Sequence, residues 1–240
     1  WEDAMKNNGV KFSLPLLPEP RPIRVKFRKV GDLQYISHLD LQRTFSRVLV
    51  RAGLPLWYTQ GFNPHIKMVF GLPLPVGCES ECEFLDLRLA REMTDGEVAA
   101  RLNDEVTPEM RILAVYTPTR KFTDIAFAEY EYELVAAGED LAGRVRETLA
   151  ANPLPLVKKG KSGERTVNLA ALMRDCAVTP APGGCHIRAT LAAGQGEYLS
   201  PEALIGVLRE KLGIFCGDPT AEHYRILRRR VLTADGGDFT

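Results

Sequence analysis

The chain has 240 residues, 45% of them hydrophobic and 26% charged, with 31 basic side chains against 31 acidic ones. That is the composition of an ordinary globular protein able to bury a core, in one large or two smaller domains. Zero formal net charge excludes a global basic field, so a nucleic-acid surface would need locally segregated cations, and no apolar run reaches the ~18 residues of a membrane span.

Residues 1–22 carry Pro15, Pro18, Pro20 and Pro22 and read as an extended leader or linker. The start lacks the basic stretch and apolar core of a signal peptide. It opens at Trp1, as a segment of something longer would. Ile23–Val30 alternates, with Ile23, Val25 and Phe27 on one face and Arg24, Lys26 and Arg28 on the other. This predicts a half-buried strand with a cationic outer face.

Ser37 offers an N-cap with Asp40 three residues on, and Leu41, Phe45, Val48 and Leu49 recur at helical spacing. Gly53 and Pro55 end that helix. A strand is expected at Leu56–Thr59, then a long loop over 60–77 rich in glycine and proline. The loop holds Asn63-Pro64-His65-Ile66-Lys67 stiffly. Glu83–Leu89 alternates as a strand, Thr94 with Glu97 forms a capping box, and Met110–Tyr116 is a further strand. The order is β-α-β-β-α-β, the ferredoxin-like split unit.

The second half repeats the order of elements. A strand is expected where Tyr130, Tyr132 and Leu134 alternate with Glu129, Glu131 and Glu133, whose carboxylates suggest an acidic surface. A helix over 141–149 stops at Asn152-Pro153. Leu156–Lys159 and Arg165–Val167 flank a Gly160-Lys161-Ser162-Gly163 turn, and Asn168–Asp175 suggests a short inserted helix. Cys185–Leu191 reads as a strand, a helix starts at Ser200-Pro201 and closes at Gly213, and His223–Val231 is a last strand. The prediction is therefore an α+β protein of two tandem ferredoxin-like domains with antiparallel sheets. They span residues 23–117 and 127–232, with a frayed tail at 233–240.

Candidate site residues fall into three groups. His38 at the helix start reads as a general acid or base, as a phosphate contact, or as a plain first-turn residue. His65 and Lys67 sit in the stiff loop, where binding residues concentrate, although a turn role serves His65 equally. Strand two is expected to run antiparallel to strand one, which separates His38 from His65 unless the loop folds back. Arg24, Lys26 and Arg28 suit phosphate contacts, or pairing with an acid such as Asp86. Lys158, Lys161 and Arg165 form a second basic group, and Arg228 with its arginine neighbours a third. Basic groups in both halves of a neutral chain favour an anionic partner such as RNA. Phe62, Trp57 and Tyr58 read first as core and second as base-stacking platforms.

Five cysteines, at 78, 82, 176, 185 and 216, make an odd set without a Cys-x-x-Cys pair. Reduced cytosolic thiols fit better than a disulfide framework. No phosphate loop, dinucleotide fingerprint, His-Glu-x-x-His or Gly-x-Ser-x-Gly occurs, nor a cysteine triad for an iron–sulfur cluster. No cofactor or metal is called for by any motif.

Tyr35-Ile36-Ser37-His38-Leu39-Asp40-Leu41, Arg51-Ala52-Gly53-Leu54-Pro55, Gln60-Gly61-Phe62-Asn63-Pro64-His65, Phe70-Gly71-Leu72-Pro73-Leu74-Pro75-Val76-Gly77 and Glu79-Ser80 closely resemble the radical-SAM-linked family. That is a bacterial domain of unknown function, found alone or fused behind a radical-SAM protein. The resemblance covers roughly residues 22–235 and is strongest over the first hundred. It implies a cytoplasmic location and a radical-SAM protein, fused or separate, as partner. More distantly, the double fold resembles the RNA-binding RAMP proteins that process CRISPR repeats. Gly213-Ile214-Phe215-Cys216-Gly217 departs from their glycine-rich loop. The leading expectation is a non-catalytic module that binds RNA (tRNA or rRNA) or presents substrate to a radical-SAM modifying enzyme. The alternatives are a metal-independent endoribonuclease using His38 or His65 with Lys67, and a protein-interaction adaptor.

Overall fold

The computed structural model describes residues 17–60, 62–160 and 163–240. The protein is a mixed α+β fold with four α-helices and mostly antiparallel sheet among those residues. It divides into two compact units, one ending at Phe122 and one spanning Thr123–Phe239.

The first unit runs β1 (Arg21–Lys29), α1 (His38–Arg51), β2 (Val69–Gly71), β3 (Cys78–Leu89), α2 (Asp95–Asn103) and β4 (Ile112–Tyr116). Its sheet order is β4-β1-β3-β2, with every neighbouring pair antiparallel. The alternation of β1 puts Ile23, Val25 and Phe27 into the core, in register with Leu87, Leu85 and Glu83 of β3. Helix α1 covers that face with Leu41, Phe45, Val48 and Leu49, all buried. Ser37 caps it by accepting from the Asp40 amide. At α2, Thr94 Oγ1 accepts from the Glu97 amide at 3.3 Å, and Glu97 Oε2 accepts from the Thr94 amide at 3.0 Å. This reciprocal cap satisfies two otherwise orphan donors. Thr94→Ala removes one arm of it and should lower the unfolding free energy by about 1 kcal/mol, read as a shifted urea midpoint.

Strand two differs from expectation. Leu56 bridges to Leu89, and the Trp57 amide donates to the Arg88 carbonyl at 2.9 Å. The chain then leaves the sheet and returns as β2, where Val69, Phe70 and Gly71 pair with Asp86, Leu85 and Phe84. Within this unit, the side of β3 opposite β1 is therefore paired by two short pieces, with residues 58–68 as an excursion between them. Since β1 and β2 are each antiparallel to β3, they run parallel to one another rather than antiparallel.

The second unit runs β5 (Ile125–Val135), α3 (Leu141–Ala150), β6 (Pro155–Gly160), β7 (Gly163–Asn168), β8 (Met173–Ala181), β9 (Gly184–Ala192), α4 (Pro201–Leu212) and β10 (His223–Thr233). Its main sheet order is β10-β5-β9-β8, again antiparallel throughout, and β6–β7 is a separate hairpin. The helix expected over Asn168–Asp175 is only a single 3-10 turn at Leu169–Leu172, followed by β8. The buried faces of β5 and β9 carry Tyr130, Tyr132, Leu134, Ile187, Ala189 and Leu191. Buried residues of α3 and α4, including Val145, Leu149, Leu204 and Leu208, complete the core. Tyr132 keeps its polar end satisfied by donating to the Pro201 carbonyl at 3.1 Å.

The opposite face of this sheet is a lattice of ion pairs rather than an acidic surface. Glu129 accepts from Arg188, Glu131 faces Arg229, and Glu133 accepts from Arg225. At the start of β9, a Cβ on Gly184 would sit inside the shell of the Leu134 carbonyl oxygen. A backbone atom cannot swing aside, so Gly184→Ala forces β5 and β9 apart. We expect a loss of about 2–3 kcal/mol, measured as a fall in urea midpoint. The chain end, expected to fray, turns back instead. The Phe239 amide donates to the Val231 carbonyl at 2.8 Å, and its ring is buried.

Candidate functional site

The edge formed by α1, β2 and the 58–68 excursion gathers the most distinctive residues of the first unit. Ser37 Oγ donates to Asp40 Oδ2 at 2.7 Å, and Arg43 reaches the other oxygen at 3.3 Å. The Ser37 hydroxyl foremost, and then Arg43, hold the Asp40 carboxyl below its ordinary range. Asp40 is thus a capping group. His38, the first helical residue, is half-buried. Its Nε2 lies 3.1 Å from the Gln42 amide nitrogen, one helical turn on. The ring meets Phe70 edge-on at 5.2 Å. Phe70 in turn packs on Phe45 and Phe27 at 5.7 and 6.4 Å. His38 therefore ties β2 to α1 through an aromatic cluster.

The excursion is a closed loop. Tyr58 bridges to Ile66, and the Thr59 amide donates to the His65 carbonyl at 2.9 Å. Thr59 Oγ1 accepts from the His65 amide at 3.1 Å. His65 Nδ1 lies 3.2 Å from the Asn63 carbonyl oxygen and 3.1 Å from Thr59 Oγ1. A carbonyl only accepts, so Nδ1 carries the proton and Nε2 is left for an outside partner. His65 and Lys67 are exposed. No hydrogen bond, ion pair or ring contact joins either of them to His38 among the described residues.

Phe62 at the tip is wholly exposed, although its residue type suggests core. Trp57 and Tyr58 at the base are half-buried; Arg88 stacks over the Trp57 ring at 5.6 Å, and burial pushes the Tyr58 phenol up. Sequence reasoning missed the exposure of Phe62. The signal available was its place between Gly61 and Asn63-Pro64, the tip of a turn.

The predicted cationic face of β1 is not open. Arg24 is 1% exposed. Its Nε and Nη2 donate to the two Asp86 oxygens at 2.7 and 2.8 Å, and Nη2 also reaches the Arg120 carbonyl at 2.9 Å. The guanidinium lies 4.3 Å from the Phe122 ring centre. Gly71 lets that ring lie flat, since a Cβ there would collide with it. Arg24 is thus a structural strut, unable to meet a solvent-borne phosphate. Lys26 is half-buried with its ammonium 5.9 Å from the Phe84 ring, and Arg28 donates to the Pro108 carbonyl at 2.7 Å. Arg228 is also buried, donating from Nε to the Tyr130 hydroxyl at 3.2 Å. Lys158 and Arg165 are backbone partners in the β6–β7 hairpin, and Lys161 lies outside the described residues.

Cys78 and Cys82 are buried, and no three His, Cys, Asp or Glu converge as a metal site among the described residues. No helix there is long and apolar enough to cross a membrane.

The model of a family described as an uncharacterized protein conserved in bacteria (DUF2344) matches residues 22–201. The chain belongs to this family. The DUF2344 match begins in β1, takes in the whole α1–β2 edge and the excursion, and ends at the first residue of α4. Every candidate residue except Arg228 and its arginine neighbours lies within it. A search of curated proteins found no match.

Proposed function

We propose that this DUF2344 protein is an RNA-binding or substrate-presenting module that serves a radical-SAM modifying enzyme, fused or separate. The observation that carries the reading is the excursion at 58–68. It displays a bare aromatic ring at Phe62, an imidazole at His65 with Nε2 uncommitted, and the exposed ammonium of Lys67. Burying Phe62 would have stabilised the fold, so a bare ring marks a contact surface. An exposed ring beside cations is the chemistry that stacks an unpaired base and holds its phosphate. The partner reading rests on the resemblance of Tyr35–Leu41 and Phe70–Gly77 to the radical-SAM-linked family. Exposed apolar side chains support it: Tyr35 and Val76 flank a backbone hydrogen bond of 2.9 Å from Gly77 to Gln34, and Leu39 follows on α1.

Each unit is, in this reading, a ferredoxin-like domain. The support is the repeated strand order of fourth, first, third, second, with two helices per unit. In the second unit the β6–β7 hairpin is an insertion before strand two.

The test is titration of tRNA and ribosomal RNA fragments at rising salt, with RNA integrity followed in the same samples. Salt-dependent binding without cleavage is expected. No binding at low salt contradicts the reading. The endoribonuclease alternative draws on the free Nε2 of His65, a base within reach of solvent. Cleavage by wild type that is lost in His65→Ala would favour it.

A further inference from the structure

We propose that the open face of the second unit holds a separate binding site for a phosphate monoester. A cleft of about 370 Å³ lies there, lined by Phe127, Glu129, Arg174, Arg188, Thr190 and Arg230 among others. The volume suits a small ligand or one nucleotide. Strand register builds the site: Arg174 pairs with Thr190, Thr190 with Glu129, and Glu129 with Arg230, in one row across β8, β9, β5 and β10. Arg188 joins from the neighbouring rung, donating to Glu129 at 2.8 Å. A register shift in β8 between Arg174 and Ala177, with Asp175 in the left-handed region, sets Arg174 at the rim. Its guanidinium lies 4.0 Å from the Phe127 ring centre, two strands away.

Three guanidiniums thus line the cleft against two carboxylates, Glu129 and Asp175. Glu129 is nearly buried and pairs with Arg188 at 2.8 Å and Arg230 at 4.0 Å. It orders these two cations without consuming them, since each guanidinium carries five N–H donors. Arg230 spends one more donor on Asp238 at 2.8 Å. Arg174 has no ion-pair partner among the described residues, so it is the uncommitted charge. Planar forks held in place around one cleft recognise a doubly charged phosphoryl group best.

Such a group could end an RNA strand or belong to a free metabolite. Calorimetry at low salt with inorganic phosphate, AMP, and a short RNA carrying either a 5′-phosphate or a 5′-hydroxyl separates these. Phosphate should bind the wild type, and Arg174→Ala or Arg188→Gln should weaken it about tenfold or more. Lys211→Ala, on the exposed end of α4, should leave it unchanged. Preference for the 5′-phosphorylated RNA over AMP assigns the site to an RNA end; equal binding assigns it to a small ester. The proposal fails if none of the phosphorylated probes binds, or if Arg174→Ala binds them like wild type. It is independent of the Phe62 loop, so Phe62→Ala should not alter phosphate binding.

Discussion

Replacing Arg24 with alanine should lower the unfolding free energy by about 3 kcal/mol, the largest effect expected of any exchange in the first unit. The guanidinium is buried, forks onto both oxygens of Asp86, and supports the Phe122 ring that lies on Gly71. Its removal strands a carboxylate and a carbonyl and opens space beneath an aromatic ring. The Asp86 side chain keeps 27% exposure, so water recovers part of the loss and the cost stays toward the lower end for a broken buried pair. Arg24→Lys should rescue less than half, because a lysine is a point charge without the fork. Exchanging Asp86 as well should cost less than the sum of the single changes, since neither charge is then left behind. Urea unfolding of the four proteins measures this cycle. An Arg24→Ala protein as stable as wild type would show that the Asp86–Phe122 assembly contributes nothing.

The second large effect is on binding. Phe62→Ala should weaken RNA binding by about fivefold to a hundredfold, given ~1–3 kcal/mol for a stacked base, while leaving the unfolding midpoint unchanged. Stability is spared because the ring touches water on all sides. Lys67→Ala should act differently. It removes one cation, so binding should fall across RNA sequences and the slope against log salt should shrink by about one. These signatures separate contact from fold: Arg24→Ala disturbs stability first, Phe62→Ala and Lys67→Ala disturb binding only.

Much of the architecture was legible because buried faces impose a period. β1, β3, β5 and β9 alternate, and α1 and α2 announce themselves by Ser37 and by the Thr94–Glu97 box. What escaped shares one physical cause. β2 and β8 are each bonded within their own unit on one side only, to β3 and to β9. Such a strand needs little alternation, and in β8 only Val178 is buried. Composition alone then favours a loop in one case and a helix in the other. Pairing across distance is equally hidden. Alternation points Arg24 outward, but nothing local shows that Arg120 and Phe122 return to cover it. The glutamates of β5 look acidic until Arg188, Arg225 and Arg229 arrive from other strands. The excursion was half visible. Its glycines and prolines mark a shaped loop, and His65 and Lys67 are exposed as a binding loop requires. Phe62 was misread because an aromatic residue is usually core, and only the fold places this one at the tip.

The most direct test is a fluorescence-anisotropy titration of labelled single-stranded RNA with the full chain, wild type against Phe62→Ala, at two salt concentrations. The expected result is binding by wild type that weakens with salt, and at least about fivefold weaker binding by Phe62→Ala at both salts, with equal unfolding midpoints. Equal affinity of the two proteins, or no binding by wild type at low salt, would contradict the account.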